Sequence, residues 1–389
     1  MGHIVFISHD ASRTGAPIVL LHLLRWLKKA NVCSFSILLI EGGELEEEFK
    51  KLALTYIWNS PSSKRRWYAR FWGKNSVKQQ LLNEQSIILA LREQKTRIAY
   101  GNTVVSADVL VQIKEAIGCI AVCHVHELEI AIERYFGTER FGQKLPHIDL
   151  VIAASQAVRE NLVKTYSLVS ECIVKIYEFV PGADEVQQQQ TPSEIRKALN
   201  IPAESFVVVA SGTLDWRKSP DIFVQLAGLV HGLEVNMPYF LWVGGSSASL
   251  AWQELQYDLR RLGIAEFVKF IDARPNPLDY IRVADVFVLT SREDPYPLVC
   301  LEAATLGKPI ICFEQAGGMP EFVGKDCGVV VPYLNIDSMA RAVCDLLVNK
   351  NIREQMGDNA MRKVREQHNV SLAASQIMDS LAILLEKQN

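Results

Sequence analysis

Short runs of consecutive apolar and β-branched residues alternate along this chain with longer amphipathic stretches. In the first half the runs fall at 3–8, 35–40, 97–100, 119–124 and 149–154. In the second they fall at 206–211, 239–244, 267–271, 285–290, 309–313 and 328–331. Nearly unbroken hydrophobicity over about six residues suits strands buried on both faces. Alternation with helices then predicts an α/β fold with two parallel, doubly wound sheets. Between the halves, Val186 leads into a glutamine run and then Thr191-Pro192-Ser193. Polar, low in complexity and broken by proline, 186–193 reads as a linker between domains at 1–185 and 194–370. Thr191 to Glu194 opens a helix. The last amphipathic stretch, 371–386, suits either half, and residues 371–389 are candidates for packing back onto the first.

Composition narrows the class. At 389 residues the chain exceeds one ordinary core, so two domains are expected. It is 49% hydrophobic and 22% charged, with a net charge of -3, which gives no electrostatic footprint for nucleic acid. The eight cysteines contain no Cys-x-x-Cys pair, and small buried thiols explain them better than disulfides or zinc. No apolar stretch reaches the ~18 residues that span a bilayer. No charged leader precedes the first run, so the expectation is a cytoplasmic protein, with peripheral contact at the inner membrane face left open.

In doubly wound sheets ligands bind beyond the carboxyl ends of the strands, so chemistry is sought in the loops there. The run 285–290 ends at Ser291, and a tight loop leads to a helix over about 298–306. Pro297 suits its first turn; Gly307 and Pro309 suit its end. The amides near Pro297, Leu298 and Val299 form an anion site. Glu302 is the single carboxylate on an otherwise apolar helix and must find partners, either ribose hydroxyls or a protein donor.

The pattern Ser291-x-x-Asp294-x-x-x-Leu298-x-x-Leu301-Glu302-Ala303, followed by Gly307-Lys308-Pro309, resembles the signature of GT-B retaining glycosyltransferases of family GT4, the glycosyl transferases group 1. That resemblance implies two Rossmann-like domains facing a central cleft. It also implies transfer of a hexose-like unit from a nucleoside-diphosphate sugar to a glycan, lipid-linked or small-molecule acceptor. Configuration would be retained, with no metal and no cofactor. Carried over, Asp294 contacts the donor sugar where the family has glutamate, Glu293 beside it compensates for the shorter reach, and Glu302 binds the ribose. The segment Ser211 to Ser219 resembles the family's basic loop. Lys218 matches its lysine, Thr213 stands where an arginine is usual, and Arg217 supplies the second charge for the diphosphate. A solvated basic turn is the plainer account of that loop. Arg274, in the loop after 267–271, would stack on the base, although a surface loop reads equally well. Gln315 to Glu321 matches a further family loop, and a structural turn is as good a reading.

The first half is less specific. Gly15 lies between a strand and a helix N-terminus, where the family lets donor phosphate approach. His126 matches a family histidine near the donor sugar, with His124 as runner-up. Two histidines two apart raise metal ligation, but no third ligand is apparent nearby, and none is assigned. Asn102 and Thr103 are acceptor-side candidates, helix capping being the alternative. The basic-aromatic run 64–74, with Arg65 and Trp67, suits an anionic acceptor or a peripheral membrane contact. An epimerase or hydrolase on the same scaffold, or a non-catalytic sugar-nucleotide-binding subunit, is the rival reading. A nicotinamide dehydrogenase is disfavoured, because no Gly-x-Gly-x-x-Gly turn follows the first run.

Overall fold

A computed structural model of the chain describes residues 2–58, 74–182, 185, 187–233 and 237–387. It divides into two compact units, Met1–Tyr177 with Val370–Asn389, and Glu178–Asn369.

The first unit holds strands β1 (His3–Ser8), β2 (Phe35–Leu39), β3 (Thr55–Ile57), β4 (Thr96–Asn102), β5 (Ile120–Val125), β6 (Leu150–Ala153) and β7 (Ile173–Lys175). They form one parallel sheet in the order β3-β2-β1-β4-β5-β6-β7, so the winding reverses between β1 and β4. The C-terminal helix Val370–Lys387 belongs to this unit, and Trp26 Nε1–H donates to Ser371 Oγ at 3.0 Å. Only β3 and β7 have no counterpart among the predicted runs. Both are three-residue edge strands, which pair on one side only and need little hydrophobic signal.

The second unit holds β8 (Val207–Ser211), β9 (Tyr239–Val243), β10 (Val268–Ile271), β11 (Val286–Leu289), β12 (Ile310–Phe313) and β13 (Gly328–Val331). Its parallel order is β10-β9-β8-β11-β12-β13, with the reversal between β8 and β11. Beneath it Phe223 packs edge-on against Phe240, Trp242 and Phe270, giving the core large, geometrically specific contacts.

The units do not divide at the expected linker 186–193. The chain leaves the first unit after Tyr177, and the glutamine run lies on the second unit. The amides of Gln189 and Gln190 both donate to Asp279 Oδ2, at 3.0 and 2.9 Å, and that aspartate is buried. A low-complexity composition reads as a spacer, but backbone groups bond whatever the side chains are. Thr191 and Glu194 form a reciprocal capping box on the helix Pro192–Ala198. All eight cysteines are free, and burial pushes the Cys119 thiol up to about 11 and that of Cys312 to about 12.

Candidate functional site

The loops after β8 and β11 lie at the switch point of the second sheet, where a doubly wound fold opens a crevice. The β8 loop is shaped from below and from within. Trp242 Nε1–H donates to Gly212 O at 3.0 Å, and Gly244, at φ +126°, passes so close that a Cβ would sit 2.3 Å from that oxygen. Asp215 folds the loop on itself, accepting from Thr213 Oγ1 at 2.6 Å and from the Lys218 amide at 3.0 Å. Arg217 and Lys218 are thereby held just before the helix Pro220–Leu233.

Both cations turn toward the β11 loop. Lys218 Nζ donates to Asp294 Oδ2 at 2.5 Å, and Arg217 Nη1 donates to Asp294 Oδ1 at 3.3 Å and to Glu293 O at 3.2 Å. Ser291 Oγ adds a third bond to the carboxylate at 3.0 Å. Burial by itself would raise the Asp294 pKa, but Lys218 and Arg217 outweigh it and hold the carboxyl below its usual value. The aspartate backbone is clamped too. Its amide donates to Ala316 O at 2.6 Å, and Gly317, at φ +138°, lies against it so tightly that a Cβ would meet Asp294 O at 1.7 Å. The Gln315–Glu321 glycines therefore serve close backbone approach to the loop. Arg292 braces the other side through a two-pronged pair with Asp221, at 3.0 and 2.7 Å. Its partner lies 71 residues earlier, so local spacing offers no sign of it.

Beyond this cluster the helix runs Leu298–Thr305, with Pro297 at its N-cap position, one place before the expected first turn. The amides of Leu298 and Val299 have no hydrogen-bond partner among the described residues. Glu302 is half-buried, and no protein group among the described residues bonds its carboxylate. The protein-donor alternative for Glu302 is thus not realised. Its apolar surroundings raise its pKa to about 7 through desolvation.

Asp294 was expected to read a sugar. Its side chain is 4% exposed, and its carboxylate oxygens are bonded by Lys218, Arg217 and Ser291. Its neighbour Glu293 is half-buried, and Arg274 is exposed on the loop after β10, where Asp272 accepts from Ser247 Oγ at 3.0 Å.

In the first unit, the residues after β1, β4 and β5 meet at the other switch point. His126 Nε2 lies 2.8 Å from Asn102 Oδ1, and Asn102 Nδ2 donates to Ala16 O at 2.9 Å, at the start of the helix Gly15–Ala30. The amide therefore presents its oxygen to the histidine, which must donate from Nε2. Asn102 is buried with its bonds spent internally, so it orients His126 instead of facing an acceptor. Thr103 is also buried, at φ +95°, a backbone region that disfavours any side chain, and its Oγ1 has no bond partner. Helix capping, the alternative for these two, is not what they do: Thr103 makes no side-chain cap bond. His124 is buried with Nδ1 2.7 Å from Tyr100 Oη, and its ring lies 4.1 Å from that of His126. Gly15 is exposed and a Cβ there would meet open space. Gly15→Ala is accordingly expected to leave folding stability within about 0.5 kcal/mol in urea melts. Arg65 and Trp67, with the rest of 64–73, lie outside the described residues.

Two all-parallel doubly wound sheets, each with polar groups collected at its switch point, define the GT-B class of fold. Residues 192–363, within the second unit, match the family model of glycosyl transferases group 1. D-inositol 3-phosphate glycosyltransferases are similar: that of Jonesia denitrificans is 28% identical over 198 residues, 50% of this chain and 46% of the relative. That of Corynebacterium diphtheriae is 28% identical over 225 residues, 55% and 52% of the two chains. The chain spans about half the length of the curated relatives it matches. Anabaena Alr3699/HepE, solved in complex with UDP, superimposes with a TM-score of 0.80 at 19% identity, covering 98% of this chain and 100% of that one. Sucrose-phosphate synthase from Thermosynechococcus elongatus gives 0.78 at 18% identity, with 100% of both chains covered. No helix among the described residues is long and apolar enough to cross a membrane.

Proposed function

We propose that this protein is a retaining glycosyltransferase, moving a hexose-like sugar from a nucleoside-diphosphate sugar to a glycan, lipid-linked or small-molecule acceptor without a metal or cofactor. The observation that carries this reading is the pairing of Arg217 and Lys218 with the β11 loop, which leads directly into the open amides of Leu298 and Val299 and the unpartnered carboxylate of Glu302. Cations and helix amides suit a diphosphate, and a lone carboxylate on a dry helix suits a pair of ribose hydroxyls. The chemistry asked of the protein is positioning and charge stabilisation: Lys218, Arg217 and the helix start take up negative charge as the diphosphate leaves. Pro297 fixes the entry of that helix, and Arg274 is free to stack on a base. In the first unit His126, oriented by Asn102, is the candidate for the sugar side, and Gly15 leaves room for phosphate.

Neighbours solved with UDP and UDP-glucose make uridine nucleotides the first donors to try, and relatives named for inositol 3-phosphate make a polyol phosphate the first acceptor. Thermal melts with UDP at 100 times its dissociation constant are expected to gain about 2.7 kcal/mol of stability. Lys218→Met is expected to remove most of that gain. Stabilisation by none of UDP, GDP or ADP would overturn the donor reading. Transfer insensitive to EDTA, with the α anomer retained by NMR, would establish the finer claims; an inverted product would refute them.

A further inference from the structure

Asp294 is the most heavily bonded acid of the site and the least exposed, an odd place for a residue that must meet a ligand. Both of its oxygens are taken: Oδ2 by Lys218 and Ser291, Oδ1 by Arg217. Its main chain is pinned by Ala316 and Gly317, so the backbone that carries the carboxylate cannot move outward without shifting two loops. Aspartate is also the shorter acid, which draws the charge back toward the basic loop. Two cations against one carboxylate leave the cluster with a single net positive charge.

We infer that Asp294 is a positioning residue, the internal counter-ion that aims Arg217 and Lys218 and sets the net charge they offer a diphosphate, and not a contact for the donor sugar. The inference rests on the nucleotide-sugar reading of this site for its ligand, although the charge cluster itself does not. In the free protein Asp294 keeps two like charges side by side in a poorly solvated spot. When a diphosphate arrives, it shares the cations with the carboxylate, which tempers the grip and lets the product nucleotide go. A sugar contact would act only on ligands that carry the sugar; a counter-ion acts on any ligand that carries the phosphates.

The test compares UDP with UDP-glucose by calorimetry, in wild type, Asp294→Asn and Asp294→Glu, at two salt concentrations. A counter-ion predicts that Asp294→Asn tightens both ligands about equally, by roughly tenfold, with a steeper salt dependence, while kcat falls as product lingers. Asp294→Glu, which restores the charge, should bring UDP affinity back to within about threefold of wild type. Unchanged UDP affinity, with UDP-glucose weakened tenfold or more, would overturn the inference in favour of a sugar contact. Should Asp294→Asn melt too low to assay, the double variant Lys218→Met/Asp294→Asn re-balances the charge. It should melt above Asp294→Asn alone and keep the UDP-glucose to UDP affinity ratio of Lys218→Met. A changed ratio, or a double variant no more stable than the single, would sink the counter-ion role. Failure of wild type to bind UDP, GDP or ADP would instead refute the donor reading, and the melting comparison would still decide the charge cluster.

Discussion

At pH 8 the Glu302→Gln variant is expected to be more stable than wild type while losing most of its stabilisation by UDP. The carboxylate has no protein partner, and desolvation raises its pKa from 4.5 to about 7. A raised acid pKa means that the folded state holds its proton where the unfolded state has already released it. Stability therefore falls as pH rises through the window from about 4.5 to 7, and the full cost is present above it. Glutamine avoids the charge but still buries a polar group, so the gain is about 1–2 kcal/mol, or about 2–8 °C for a unit of this size. At pH 4, below both pKa values, the two proteins should melt together. Ribose hydroxyls would donate to the charged form, so wild-type affinity for UDP should rise as pH passes 7, and the variant should show no such rise. Coincident melting curves at pH 8 would show that the carboxylate is not held at a cost, and a UDP affinity indifferent to Glu302→Gln would remove the ribose assignment.

Gly317→Ala is expected to cost about 3–4 kcal/mol, large for a single methyl group. The backbone there sits at φ +138°, and the added carbon would lie 1.7 Å from Asp294 O and 2.6 Å from its carbonyl carbon. Both atoms are main chain, so no side chain can yield; the 291–297 loop must shift. Because that loop carries the anchor of Arg217 and Lys218, UDP affinity should drop together with stability. Urea melts and UDP titrations on the same preparation would check it. A stability change below about 1 kcal/mol would mean that the clamp on Asp294 is loose. The contrast with Gly15, where an added methyl meets open space, separates a glycine kept for packing from one that leaves room.

The runs of apolar residues marked every described strand except the two three-residue edge strands of the first sheet, because a strand covered on both faces must carry that burial in its composition. The places of Lys218 and Arg217 in the loop after a strand, and of Glu302 on an otherwise apolar helix, were likewise legible. Asp221 and Asp279 were not. Each is an acid in an unremarkable loop or helix, and what it holds becomes visible only when the backbone brings a partner to it. The glutamine run was misread as a spacer for the same reason: its partner, Asp279, lies far along the chain.

Local signals thus carry the alternation of strands and helices, the doubly wound class, and the basic-then-acidic residues after β8 and β11. Those follow from periodicity and residue type, which are local. Only the tertiary structure decided that the two motifs face one another across the switch point of one sheet. It likewise decided that Asp294 turns inward to its cations, and that Glu302 is left without a protein partner. Charge and reach are properties of a residue, but pairing and desolvation belong to the atoms around it, and those come from 70 or more residues away.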